Sequence, residues 1–215
     1  MQAVAIVLAC FGGLTLLVAL SRWLAGRRSA SAGHLGLAAL LLTSAAQLQP
    51  VASNLGTYRP RHGDRPVAQV FCERTASRTH RITLTRLPEG RMQVFEVTGD
   101  EWRLDARTLT WQGRAVELGL QPGYRLDRLS TRFLRTTEPA GSSPSSYALS
   151  EEIGEDVWAQ ARTGTRWARY AVADHAYGPW RPLAQGARYE IGFDSTGLLA
   201  RPVNEAAATA LQRRP

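Results

Sequence analysis

The chain predicts an α+β protein: an N-terminal transmembrane helical hairpin followed by an antiparallel β-rich domain with a few helices. Three observations carry that prediction. Two uncharged apolar stretches open the chain, over about residues 2–20 and 34–56. Each is near the ~20 residues that cross ~30 Å of hydrocarbon as a helix. An arginine-bearing link joins them. Past residue 57 the texture changes to short runs of Val, Ile, Thr and Phe divided by turn residues, the pattern of strands. The hairpin is therefore placed at residues 1–57 and the following domain at 58–215. Roughly 155 residues is an ordinary size for one domain.

The spans are expected at about 2–22 and 34–55, with a loop over 23–33. Arg22, Arg27 and Arg28 mark that loop as cytoplasmic by the positive-inside bias. Both ends of the hairpin then face outward, and the C-terminal domain lies in the periplasm of a Gram-negative cell, anchored in its inner membrane. Arg59, Arg61 and Arg65 oppose this, but long translocated domains largely escape the charge bias. A cleaved signal peptide fits poorly, with no basic region before the apolar run and no A-x-A-like exit after it. Val7-Leu8-Ala9-Cys10 bears only a faint likeness to a lipidation site. Trp23 and Tyr58 suit the two membrane interfaces, and Gln47, Gln49 and Pro50 dilute the far half of the second span. Neither apolar stretch, 2–20 or 34–56, holds an Asp, Glu, Lys or Arg, and His34 lies at an edge, so a proton pathway through this hairpin alone is not expected. Thr15, Thr43, Ser44, Gln47 and the small residues around Gly12-Gly13 read as helix contacts.

Composition narrows the chemistry. The net charge is +8, and all 26 basic residues are arginine. The absence of lysine excludes Schiff-base, Ser-Lys and phosphate-cradling lysine chemistry. Every acidic residue lies beyond Gly56, so the outer domain is less basic than the whole chain. No nucleic-acid-binding motif accompanies the charge, and nucleic acid is not expected as a partner. The lipid bilayer is, since arginines near a membrane attract anionic headgroups. Cys10 falls in the first span and Cys72 beyond the second, a placement unsuited to one disulfide. Cys72 reads as a small buried strand residue, or as the site of an intermolecular bridge.

Strands are expected at 67–73, 81–87, 91–98, 101–104 and 108–112, with reversals at Pro88-Glu89-Gly90 and Gly99-Asp100. Links this short require antiparallel pairing. Residues 124–134 keep helical spacing at Leu126, Leu129 and Phe133, but their Tyr, Thr and Phe content favours a bent strand. A Pro- and Ser-rich loop is expected at 138–146, helices at 151–162 and 167–173, and a Gly/Pro-rich loop at 174–186. A hairpin follows over 187–193 and 198–203, turning at Asp194-Ser195-Thr196-Gly197, with Asn204 capping a last helix.

Part of this resembles a known family. The run Gly99-Asp100-Glu101-Trp102-Arg103-Leu104-Asp105-Ala106-Arg107, with Leu109 and Trp111, is similar to a stretch of small two-span inner-membrane proteins of gammaproteobacteria. The resemblance resumes at Tyr124-Arg125-Leu126-Asp127-Arg128-Leu129-Ser130, Gly186-Ala187-Arg188-Tyr189-Glu190 and Gly197-Leu198-Leu199-Ala200-Arg201-Pro202. Members tend to be labelled cation or multidrug efflux pumps, so the resemblance implies an envelope and transport context.

The candidate partner surface is Arg125, Arg128, Arg132 and Arg135 with Trp111. The arginines read as a solvated face or as a basic strip meeting an acidic partner or lipid. Trp102 and Trp111 read as packing or as interface anchors. Alternation in Glu101-Trp102-Arg103-Leu104-Asp105 puts Trp102 and Leu104 on a buried face and the charged residues in water. Asp105 and Arg107 are expected to bracket a turn. Asp174-His175 with Ser150 or Cys72 could supply a base and a nucleophile, but no catalytic motif supports that pairing. His62, His80 and His175 lack ligand spacing, His80 reading as an exposed strand-end residue; no metal or cofactor is implied. The expected function is a membrane-anchored interaction or scaffold protein with an envelope protein or a second copy as partner. The alternatives are an accessory subunit of a transport or efflux complex, and an envelope hydrolase.

Overall fold

The computed structural model describes residues 2–26, 28–61, 65–134, 143–194 and 197–213. Two N-terminal apolar helices precede antiparallel sheets and short helices, an α+β arrangement. The chain divides into two compact units, Met1–Arg59 with Glu152–Ala168, and Pro60–Glu151 with Arg169–Pro215.

In the first unit, helices α1 (Gln2–Leu24) and α2 (Arg28–Leu55) form the hairpin. Most of the loop expected at 23–33 is helical, because Ser29-Ala30-Ser31-Ala32 offers nothing to stop a helix. The apolar windows are Ala3–Leu24 and Ser31–Leu55, both long and apolar enough to cross a membrane. The residues buried between the helices are small and recur every seventh position: Ala5, Gly12 and Ala19 on α1; Ser31, Ala38, Ala45 and Ala52 on α2. A strict seven-residue repeat keeps one seam facing its partner, and small residues let the backbones approach closely. A Cβ at Gly12 would stand 2.9 Å from the Leu42 side chain. The large residues point outward: Ile6, Phe11, Leu14, Leu17 and Leu40 are each more than half exposed.

Glu152–Ala168 belongs to this unit although the sequence places it in the outer domain. Its helix α4 (Val157–Arg162) is shorter than the 151–162 expected, and Asp156 caps it by accepting from the Ala159 amide at 3.0 Å. Gly154 precedes it at φ +72°, and a Cβ there would lie 2.2 Å from the Pro50 carbonyl oxygen. Only glycine permits that approach. Asn54, fully buried on α2, donates to the Ile153 carbonyl at 3.2 Å and accepts from the Val157 amide at 3.3 Å.

The two-residue strand β1 (Arg59–Pro60) stands at the boundary. In the second unit, β2 (Ala68–Ala76), β3 (Thr79–Arg86) and β4 (Arg91–Thr98) form a meander. They join β10 (Arg188–Phe193) and β11 (Leu198–Pro202) in a five-stranded sheet ordered β11-β10-β2-β3-β4. The other sheet runs β6-β5-β8, from β5 (Glu101–Trp111), β6 (Gly123–Arg132) and β8 (Ala171–Tyr177). Short β7 (Ser146–Ala148) pairs with β6, and β9 (Arg181–Pro182) with β5. Four-residue α3 (Arg114–Glu117) follows β5, and Asn204 caps α5 (Glu205–Gln212) by accepting from the Ala207 amide at 3.1 Å. The inner faces of the two sheets make the core, where Trp102 packs edge-on against Tyr189 and Tyr124 against Phe193.

Two expectations change here, and a third, the strand favoured at 124–134, holds with an irregular register. Asp105 and Arg107 do not bracket a turn: β5 runs unbroken through them, because pairing on both sides overrides weak strand propensity. Residues 171–177 form strand β8, registered against β5 from Asp105–Tyr177 to Trp111–Ala171, where a helix and then a loop were expected. Residues 124–132 are strand, and the register with β5 shifts by one residue at Asp127. That extra residue puts Leu126 and Leu129 on one face although they are three apart, which explains the helix-like spacing. The turn residues Ser195-Thr196 and positions 138–142 of the Pro/Ser-rich loop lie outside the described residues.

Candidate functional site

Alternate residues of a strand share a face, so Glu101, Arg103, Asp105, Arg107 and Trp111 of β5 all lie opposite the core side of their sheet. Across β6 they meet Arg132, Ser130, Arg128 and Arg125, opposite Glu101, Arg103, Asp105 and Arg107 in turn. Without the bulge at Asp127, Arg125 and Arg128 would fall on opposite faces. Three of the arginines named from the sequence, and Trp111, therefore share one face. Arg135 lies outside the described residues. On the other side of β5, Tyr177 faces Asp105 and His175 faces Arg107.

This face is not the water-bathed side the alternation suggested. Glu101 is 0% exposed and Asp105 5%, and Arg125 is buried as well. Arg132 holds Glu101 Oε2 through Nε at 2.7 Å and Nη2 at 2.6 Å. Arg103 forks onto Asp105, Nε to Oδ1 at 2.9 Å and Nη2 to Oδ2 at 3.2 Å. Arg107 pairs with Asp127 at 3.0 Å. Burial pushes the Asp105 carboxyl above its ordinary value, more than Arg103 pulls it down. Of the strip that reads as basic in sequence, Arg132 is matched by the Glu101 carboxylate, Arg125 is buried and Arg128 remains exposed.

Aromatic rings cover these ion pairs. The Trp180 ring lies 4.4 Å from the Arg132 guanidinium and 4.6 Å from that of Arg103. Arg103 also sits 5.2 Å over Tyr177, which stacks on His175 at 5.4 Å and 21°. Arg132, Trp180, Arg103, Tyr177 and His175 form one continuous ladder. Sequence reasoning missed Trp180 and Tyr177 because they fall in the segment read as loop. Gly178 places Trp180: its amide donates to the Leu104 carbonyl at 2.8 Å, and a Cβ would stand 2.5 Å from that oxygen. A Gly-Pro-Trp run between strands was the available signal.

Of the residues named for a hydrolase, Asp174 and His175 sit side by side on β8 and Cys72 lies in the core. Asp174 Oδ1 accepts from the backbone amide of His175 at 2.8 Å, and neighbouring strand residues point to opposite faces. Cys72 is fully buried in the core, where burial pushes its thiol up to about 12. His80 is not an exposed strand end but 3% exposed, and neither ring nitrogen has a hydrogen-bond partner among the described residues. His62 lies outside the described residues. Among the described residues no three of His, Cys, Asp or Glu gather closely enough to hold a metal ion. A concavity of about 560 Å³ opens on the outer face of the five-stranded sheet, lined by Phe71, Thr83, Met92, Arg188 and Asn204 among others. It offers shape but little chemistry, since Arg188 is already laid over Phe71 at 5.0 Å. No family model, curated protein or solved structure matches the chain.

Proposed function

We propose that the protein is a membrane-anchored interaction protein of the Gram-negative envelope. Helices α1 and α2 cross the inner membrane as a hairpin with the turn around Gly26 in the cytoplasm. The two-sheet domain stands in the periplasm and presents the Arg132–Trp180–Arg103–Tyr177 ladder to a protein partner. The hairpin reading is supported by its inverted packing, with alanines inside and leucines outside. Such an apolar exterior is unfavourable in water but matches lipid. Orientation follows from Arg22, Arg27 and Arg28 at the turn.

The ladder is the observation that carries the interaction reading. Trp, Tyr and Arg dominate the energetics of protein interfaces. Here their charges are already neutralised and their geometry is set by buried carboxylates, so little ordering cost remains for binding. Affinity purification of the full-length protein from gently solubilised membranes, wild type against Trp180→Ala, tests it. The expected result is a stoichiometric envelope protein, or a second copy, whose association weakens by about 2 kcal/mol or more in the variant. Unchanged recovery of every partner by the variant overturns the assignment of the ladder. A transporter as that partner would make the chain an accessory subunit, the role the family resemblance favours.

A further inference from the structure

The returning segment Glu152–Ala168 meets α2 at partners 99 and 103 residues away in sequence. Its anchor points, Pro50 and Asn54, fall in the last turns of the apolar window Ser31–Leu55. At 1.5 Å per residue, both lie within ~8 Å of the end of that window. If α2 spans the bilayer, a segment held there sits at the depth of the lipid headgroups.

Its side chains suit that depth. Arg162 lies 5.3 Å over Trp158, and Arg166 lies 5.8 Å over Trp167, both arginines being exposed. Ile153 is 47% exposed. An aromatic body with a guanidinium tip is the composition of a membrane–water interface, and guanidinium groups match lipid phosphate. Two of the segment's acids are turned onto the segment itself: Asp156 caps α4, and Glu155 bonds Gln160 at 2.9 Å and Arg166 at 3.2 Å.

We propose that Glu152–Ala168 is a membrane-surface element lying in the headgroup layer at the outer end of α2. Ile153 faces the acyl boundary, and Arg162 and Arg166 engage lipid phosphates. The inference rests on the hairpin reading above. It explains why the chain returns to α2 between two strands of the outer domain.

The test uses the full-length protein in phosphatidylethanolamine/phosphatidylglycerol bilayers, with nitroxide labels on single cysteines in a Cys10→Ser, Cys72→Ala background. Labels replace Ile153, Thr163 and, within α2, Leu40; free label in buffer is the aqueous reference. Accessibility to oxygen relative to a water-soluble nickel chelate reports depth. Positions 153 and 163 are expected between Leu40 and water. Aqueous values at both, with Leu40 in hydrocarbon, overturn the proposal and leave the hairpin standing. An aqueous Leu40 overturns both. Arg162→Gln with Arg166→Gln should shift both labels toward water, and an unchanged depth overturns the arginine–phosphate assignment.

Discussion

Trp102 and Trp180 occupy opposite sides of one sheet, and their roles separate accordingly. Trp102 is 0% exposed and packs on Tyr189 within the core. Truncation to Ala should cost roughly 3–5 kcal/mol through lost burial and the cavity left behind. Thermal denaturation followed by near-ultraviolet circular dichroism checks this. An unchanged melting temperature would move Trp102 out of the core. His80 carries a second prediction. Burial first, and Arg74 second, hold its pKa below the ordinary 6.5, against a weaker pull from Asp100. The unfolded chain therefore takes up a proton that the folded chain resists. This contribution to stability is full above 6.5 and is lost as pH falls from there toward the lowered folded value. Melting temperatures recorded from about pH 8 to about pH 5 should fall on acidification, and the fall should be smaller in His80→Leu. Equal slopes for the two proteins would remove His80 from the account.

Among the elements, α4 is tied to α2 through one side chain, Asn54. Six residues are too few to hold a helix in water, so its stability comes from the Asp156 cap and from packing on α2. Asn54→Leu leaves the buried Val157 amide and the Ile153 carbonyl without their partner, at a cost of about 1–3 kcal/mol. Hydrogen exchange should speed up at Val157 while amides of β2 and β5 keep their protection. Protection unchanged at Val157 would show that Asn54 does not hold the segment. Strand β6 makes a related point about reading elements. Its helical spacing at Leu126 and Leu129 is the arithmetic of a bulge, invisible until the partner strand is known.

At the scale of the molecule, the proposed topology puts the turn of the hairpin and the two-sheet domain on opposite sides of the membrane. In a Cys10→Ser background, a cysteine at Ser29 should react with an impermeant maleimide only after the inner membrane is permeabilised. A cysteine at exposed Met92 should react without that step. The reverse pattern would invert the topology. The division into units also bears on truncation. A chain begun at Arg61 loses only β1 from the two sheets and keeps their shared core, yet removes the helix to which Glu152–Ala168 is fastened.

Local chemistry wrote much of this protein plainly. Hydropathy over 20 residues marks α1 and α2, runs of Val, Ile, Thr and Phe between turn residues mark β2 to β4, and Asn204 announces α5 by its own side chain. Each of these depends on residues near in sequence, so each is legible there. The seven-residue seam of Ala5, Gly12 and Ala19 is equally local, though only its centre around Gly12 stands out in sequence among the larger residues. What tertiary structure alone decided is the content of the candidate site. Glu101 meets Arg132 across 31 positions, and Trp180 reaches both Arg103 and Arg132. Whether those arginines form a free basic strip or half of a neutralised, ring-covered face depends on strand register. One bulged residue, Asp127, sets that register, and only the pairing of β5 with β6 reveals it.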